Sequence, residues 1–175
     1  MMMQMLEAGG MPIVTDHIRK ADEDNPRGYY EFEKVKKIKE DSSWLDNCHG
    51  KAFKMVSALL YYLPKDKRYK VIFMKRKMEE MLASQNVMLK RLGQEVGRIG
   101  DNEIAEKFEK HLQKIEECLS KQSSIDVLYI NYNEVIQNPH ENTRLVSRFL
   151  DGRLNPDKMA GIVEKSLYRH RKKET

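Results

Sequence analysis

An arginine and a serine eight residues apart form the first candidate for chemistry in this sequence. Arg76 closely follows a short apolar run, residues 69–74, and Ser84 lies about two turns into the segment predicted to be the next helix. A guanidinium group presents a planar fork of donors that fits phosphate oxygens, and a serine hydroxyl adds a neutral donor. The pair therefore predicts a phosphate site, and the alternative is that Arg76 pairs with Glu79 or Glu80 on the helix surface.

A polar stretch, residues 21–28, is the second candidate, and the aromatic pair Tyr29-Tyr30 follows it. Its turn residues indicate an ordered loop, and loops on a rigid scaffold are where functional residues concentrate. Carboxylates in and beside this loop could accept a proton from a reacting group. They are Asp22, Glu23, Asp24 and Glu31.

The remaining reactive side chains give no pattern of their own. Cys48 and Cys118 are too few for a disulfide framework and are not spaced for a metal, which favours a reducing compartment. No metal-ligand spacing joins His17 to His49, so we expect no metal site. His111 lies beside the apolar stripe of a predicted helix, which favours a structural role.

The apolar pattern predicts the elements that must position these residues. Runs at 52–56, 69–74 and 125–130 are β-rich, apolar and bounded by charged or turn residues, as in buried strands. Apolar residues recur at helical spacing between 101 and 121, and further helices are predicted at 1–8, 78–92, 142–150 and 156–163. Strands separated by long helical connections predict an α/β fold with a mainly parallel sheet flanked by helices.

Composition bounds the class of protein. The chain has 175 residues with 32 Lys and Arg against 27 Asp and Glu, a net charge of +5, and we expect one domain over residues 1–175. The apolar start has no preceding basic region and is interrupted by Glu7, so we expect no signal, no membrane span and a cytoplasmic protein. Basic clusters could face an anion, but no aromatic residues are interleaved with them, so a nucleic-acid partner is not expected.

Four segments, taken together, resemble bacterial-type sulfotransferases that use phosphoadenosine phosphosulfate, a branch of the phosphate-loop nucleotide-binding fold. Residues 1–10 are similar to the helix after the family's phosphosulfate-binding loop, and residues 24–31 to a loop of its bacterial members. The strand ending in Lys75-Arg76, with Ser84 beyond it, resembles the element that holds the nucleotide-side phosphate. Residues 128–135, with Pro139 following, resemble a late strand and its turn.

The resemblance implies roles for particular residues. It implies a three-layer fold of the phosphate-loop type, phosphoadenosine phosphosulfate as co-substrate without a metal, and a cofactor site at Arg76 and Ser84. The tail would add Arg169 and Arg171, with a frayed basic terminus as the alternative. Glu31 becomes the leading base, although a carboxylate complementing a helix N-terminus is an equal alternative. Lys54 matches a lysine of the family's Lys-Thr-His sequence, whose histidine is absent here.

One part of the family pattern is not found in the 175 residues. The phosphosulfate loop and the strand that delivers it would precede Met1, so we expect either a start further upstream or a protein that folds without its first strand. We expect the 175 residues as given to bind the cofactor poorly and to transfer sulfuryl groups slowly or not at all, and we expect the exposed sheet edge to favour a homodimer or aggregation. The function expected is sulfuryl transfer to a hydroxyl or amine of a small molecule, carbohydrate or lipid. The alternative is a non-catalytic nucleotide- or phosphate-binding protein.

Overall fold

The computed structural model describes residues 1–22, 25, 28–91, 93 and 101–163. Groups of helices precede, separate and follow two strands along this part of the chain. The α-helices are α1 (Met2–Ala8), α2 (Glu33–Lys36), α3 (Met78–Arg91), α4 (Asp101–Ser120), α5 (Tyr132–Gln137), α6 (Pro139–Phe149) and α7 (Pro156–Ala160). Two 3₁₀ helices, Ser43–Asn47 and Ser57–Tyr62, lie between α2 and the first strand.

Two strands pair in parallel at the centre. They are β1 (Tyr69–Lys75) and β2 (Ile125–Asn131), and Tyr69 stands opposite Ile125 while Lys75 stands opposite Asn131. Since parallel neighbours need a long crossover, α3 and α4 occupy the connection between the two strands. The strands predicted at 69–74 and 125–130 are thus confirmed as neighbours.

The sheet separates two apolar cores because side chains alternate along a strand. Phe73 belongs to one core, which α4 covers with Ile115 and Leu119. On the opposite face Ile72 and Met74 pack against a second core built from α1 and the helices after β2. Its fully buried members include Met5, Val135, Val146 and Met159. A parallel sheet with helices on both faces is the predicted α/β class.

Capping residues place the helices after β2. The Asn155 side chain accepts hydrogen bonds from the amides of Asp157 (3.1 Å) and Lys158 (3.0 Å), which confirms the predicted start of α7. Gly152 has φ 70° and donates its amide to Ser147 at 2.8 Å, so the predicted stop after α6 is also confirmed. α6 begins at Pro139, three residues before the predicted 142, because proline is favoured in the first turn.

The third predicted strand, 52–56, is wrong. The described structure has a single parallel bridge there, between Ile13 and Ala52. Ala52 donates its amide to Pro12 at 2.9 Å and accepts from Val14 at 2.8 Å, and a 3₁₀ helix begins at Ser57. None of residues 52–56 is buried, and Val56 is 61% exposed, so the apolar composition of this run did not indicate a paired, buried strand.

No helix in the described ranges is long and apolar enough to cross a membrane. The assignment of residues 1–175 to one domain stays a prediction.

Candidate functional site

Arg76 lies at the carboxyl edge of the sheet, directly after β1. Its Nε donates to Glu80 Oε2 on the first turns of α3 at 3.3 Å. Glu80 is buried, and its other oxygen accepts a hydrogen bond from Asn133 Nδ2 at 2.9 Å. The guanidinium carbon is 4.8 Å from the ring centroid of Tyr132, the first residue of α5. Elements from both strand ends therefore hold Arg76 in one orientation.

The electrostatics of this edge follow from its burial. Desolvation raises the pKa of the Tyr132 hydroxyl, the positive charge of Arg76 opposes that rise, and Glu80 adds to it. The hydrogen bond from Arg76 to Glu80 runs through Nε, and within the part of the chain that the structure describes the two terminal nitrogens of the guanidinium have no hydrogen-bond acceptor. Pairing with Glu80, the predicted alternative, thus occurs in a geometry that is compatible with phosphate binding.

Glu31 and Lys54, named separately from the sequence, lie together. Lys54 Nζ is 3.5 Å from Glu31 Oε1 and donates to the Tyr29 carbonyl at 3.1 Å. Arg19 donates to the same carboxylate oxygen at 3.2 Å, and Lys36 lies 3.8 Å from the other oxygen. Glu31 therefore stands among three cations, and it holds the Lys54 ammonium beside the loop.

Asp16 takes the role that the sequence offered to Glu31 as an alternative. The Glu33 amide, in the first turn of α2, donates to Asp16 Oδ2 at 2.6 Å, and the Ile18 amide donates to Oδ1 at 3.0 Å. These two backbone bonds lower the pKa of Asp16, because they stabilise its charged form. Asp16 thus serves the N-terminus of α2 and leaves the Glu31 carboxylate to the ion-pair cluster.

Of these residues, Arg76 and Lys54 line one cavity, and Glu31 is not among the described residues that line it. Its volume is about 1510 Å³, and its lining includes Lys54, Arg76, Tyr29 and Tyr30. Ser84 is half-buried on α3 and is not among the described residues that line the cavity, so its clamp with Arg76 stays a prediction.

The predicted tail residues Arg169 and Arg171 lie outside the described residues. The same holds for Glu23 and Asp24 of the loop. In the described ranges, no group of three or more His, Cys, Asp and Glu side chains could hold a metal ion.

The structure also shows one contact that the sequence did not suggest. Ser57 Oγ and His111 Nε2 are 2.9 Å apart, although the two residues are 54 positions apart in the chain. Ser57 lines the cavity, while His111 lies on α4. Neither residue carries a local pattern that links it to the other, so no sequence signal could have found the pair.

The family follows from a comparison with known proteins. A family model described as a sulfotransferase domain matches residues 52–175. This match covers more than half of the chain, so the chain belongs to the sulfotransferase domain family. Arg76, Ser84 and Lys54 lie within the match, whereas residues 1–10 and 24–31 lie before it. No curated protein and no solved structure matches the chain significantly.

Proposed function

We propose that the protein transfers a sulfuryl group from phosphoadenosine phosphosulfate to a hydroxyl or amine acceptor. The observation that carries this proposal is that Lys54 and Arg76, two cations from separate elements, line one cavity in a sulfotransferase domain. The co-substrate supplies an activated sulfuryl group whose leaving group is a nucleoside phosphate. Cations that meet such a leaving group stabilise the charge that develops in the transition state.

Arg76 binds the nucleotide through a phosphate. Its bond to the buried Glu80 fixes the guanidinium plane before the ligand arrives, so little side-chain entropy remains to be lost on binding. A charge-assisted hydrogen bond contributes roughly 1.5–3 kcal/mol. Ser84, Arg169 and Arg171 are proposed as further cofactor-binding residues.

Lys54 and Glu31 act on the reacting atoms. The acceptor oxygen or nitrogen forms a bond to sulfur while the bond from sulfur to the leaving phosphate oxygen breaks. Glu31 takes the proton of the acceptor, and Lys54 faces the leaving oxygen. Because Lys54 lies 3.5 Å from Glu31, neutralising the carboxylate weakens that ion pair and turns the ammonium toward the phosphate.

The acceptor belongs to the small molecules, carbohydrates or lipids. The cavity lining supports this because it combines the aromatic side chains Tyr29 and Tyr30 with apolar residues. Nucleic acid is not a proposed partner, the compartment proposed is the cytoplasm, and a homodimer is the proposed assembly.

Two measurements test the proposal. Calorimetry with adenosine bisphosphate should show binding that Arg76→Ala weakens by about tenfold or more, while Arg148→Ala, which removes an exposed arginine of α6, should leave it unchanged. Transfer of label from the co-substrate to a panel of phenols, amines and sugars should fall in Lys54→Ala and Glu31→Gln. Absence of nucleotide binding by the unaltered chain would contradict the proposal.

The alternative function is a non-catalytic nucleotide- or phosphate-binding protein. It shares the Arg76 site but needs neither Lys54 nor Glu31. Binding of adenosine bisphosphate without transfer to any acceptor, and with Glu31→Gln indistinguishable from the unaltered chain, would select this alternative.

A further inference from the structure

The hydrogen bond between Ser57 and His111 joins the wall of the cavity to the helix behind it. Ser57 begins the second 3₁₀ helix, and its Oγ lies 2.9 Å from Nε2 of His111 on α4. A 3₁₀ helix has three residues per turn, so Ser57 and Leu60 share one side, and both line the cavity. His111 is not among the described residues that line it. The imidazole therefore acts on the cavity through the serine hydroxyl.

The pair lies toward the carboxyl edge of the sheet. Glu116 of α4 pairs with Lys75, the last residue of β1, at 2.6 Å. Because α4 leads back to the amino end of β2, its turns before Glu116, including the turn of His111, extend toward the carboxyl edge. Lys54 precedes Ser57 by three residues, a backbone span of at most about 11 Å. A molecule that reacts beside Lys54 can therefore also touch Ser57.

The wall around Ser57 is apolar. Leu60 and Leu63 are buried in the core that α4 covers, and Leu112 packs against that core. The ring of Phe108 lies 6.0 Å from the imidazole, centroid to centroid. All four of these side chains line the cavity. A polar group within an apolar wall fixes the orientation of a bound molecule, because the molecule must place a matching group opposite it.

The bond to His111 leaves the Ser57 hydroxyl able to meet a ligand in either of two ways. In a neutral imidazole one ring nitrogen donates and the other accepts. If Nε2 accepts from Ser57, the lone pairs of Oγ remain for a donor, and if Nε2 donates, the hydroxyl proton remains for an acceptor. Among the described residues, Nδ1 has no hydrogen-bond partner that would fix one tautomer. A hydroxyl both donates and accepts, so it is the ligand group that fits either state.

We propose that Ser57, oriented by His111, binds a hydroxyl of the sulfuryl acceptor other than the group that reacts. The acceptor is then a molecule with an apolar body and two polar ends. One end receives the sulfuryl group beside Lys54 and Glu31, and the other is the hydroxyl that meets Ser57. Ser57 determines specificity, and His111 is a positioning residue that acts through it. The identity of the reacting end rests on the proposed function, whereas the contact at Ser57 is measured by binding alone.

Matched pairs of phenols test the proposal on the full 175-residue chain. Each pair joins a 4-alkylphenol to the compound in which a hydroxyl replaces its terminal methyl group, and chain length varies across the series. Calorimetry with and without adenosine bisphosphate measures binding. At the matching length the alcohol should bind at least about threefold more tightly than its methyl analogue, and Ser57→Ala should reverse that order. In the transfer assay Ser57→Ala should raise KM for the alcohol and leave kcat nearly unchanged.

Variants of His111 separate positioning from stability. His111→Phe keeps a ring but loses the nitrogen, so the preference for the alcohol should fall, whereas His111→Gln, whose amide can still bond to Ser57, should retain much of it. Lys110→Ala, an exposed change on the same helix, should leave the preference intact. A merely destabilised chain would weaken both members of a pair equally. Ser57→Cys, with a weakly hydrogen-bonding thiol, repeats the test if the alanine variant does not fold.

The outcomes distinguish this contact from the proposed function. An alcohol preference that survives Ser57→Ala would overturn the contact, and so would the absence of a preference in the unaltered chain at every length. Transfer of label without any preference would sustain the proposed function and overturn the second hydroxyl. A preference in binding without transfer to either member would contradict sulfuryl transfer and sustain the contact.

Discussion

Replacing Arg76 should reveal two separable effects, one on stability and one on ligand binding. Its side chain is 27 % exposed, and its partner Glu80 is 8 % exposed at the side chain. Arg76→Ala removes the guanidinium that donates to the Glu80 carboxylate at 3.3 Å, while the Asn133 amide still donates to the other oxygen. A buried charged group that loses a partner costs roughly 1–3 kcal/mol or more. We take the lower part of that range because water reaches the arginine.

The thermal shift follows from the size of the chain. For a protein of about this length, each kcal/mol lowers Tm by roughly 2–4 °C. Arg76→Ala should therefore unfold several degrees below the unaltered protein in calorimetry, whereas the exposed control Arg148→Ala should stay within about 0.5 kcal/mol. The double variant Arg76→Ala with Glu80→Gln should recover much of the lost stability, since a neutral amide at position 80 costs less to bury than a carboxylate that has lost its bond from Arg76.

Binding of adenosine bisphosphate should follow a different pattern. Arg76→Ala and the double variant should both lose about tenfold or more in affinity, because both lack the guanidinium. Glu80→Gln alone should lose less affinity than Arg76→Ala, since the guanidinium is still present and the glutamine oxygen can still accept from its Nε. A Glu80→Gln variant that binds as weakly as Arg76→Ala would refute the phosphate role, and an Arg76→Ala variant with unchanged Tm would refute the buried ion pair.

Three further predictions concern single residues. Lys54→Ala should reduce sulfuryl transfer by about a hundredfold while leaving Tm near that of the surface control Lys107→Ala, as a turnover assay beside a thermal scan would show. Because the pKa of Asp16 is lowered in the folded protein, its carboxylate contributes fully to the free energy of unfolding above about pH 4, and this contribution is lost as the pH falls through the folded pKa. Asp16→Asn should therefore make the free energy of unfolding less dependent on pH at acidic pH, as denaturant unfolding over a pH series would show. Gly9→Ala would place a Cβ 2.7 Å from Met159 Cγ and should cost roughly 1–3 kcal/mol by denaturant unfolding; an unchanged midpoint would contradict this close packing.

Local patterns were sufficient to predict most of the fold. The strands at 69–74 and 125–130 and the long helix at 101–121 carry their periodicity within a few consecutive residues. The helix starting at Pro156 was predictable because an asparagine before a proline is a local capping signal. The strand at 52–56 could not be decided in this way, because pairing depends on which distant backbone lies beside it.

The candidate site, like the fold, has some features with a local sequence signal and others without one. The place of Arg76 at the sheet edge was predictable because it follows a strand, and its pairing with Glu80, four residues further on, was open as an alternative. That Glu80 would also accept a hydrogen bond from Asn133, 53 residues away, has no local signal. The contact between Glu31 and Lys54 likewise joins residues that are distant in the sequence and has no local signal.

Arg76 and the Glu31–Lys54 pair differ in the burial of their partners, so they differ in how firmly the fold holds them. Arg76 is fixed by a buried carboxylate and an aromatic ring at the sheet edge, so its position depends on the core. Lys54 and Glu31 are held by partly exposed ion pairs, each of which contributes only about 0–1 kcal/mol, so they can exchange partners cheaply. In the proposed reaction the nucleotide phosphate is the same in every turnover and benefits from a preorganised partner. The groups that move a proton and meet the leaving oxygen must change contacts during the step, and the exposed cluster allows that change at little cost in stability.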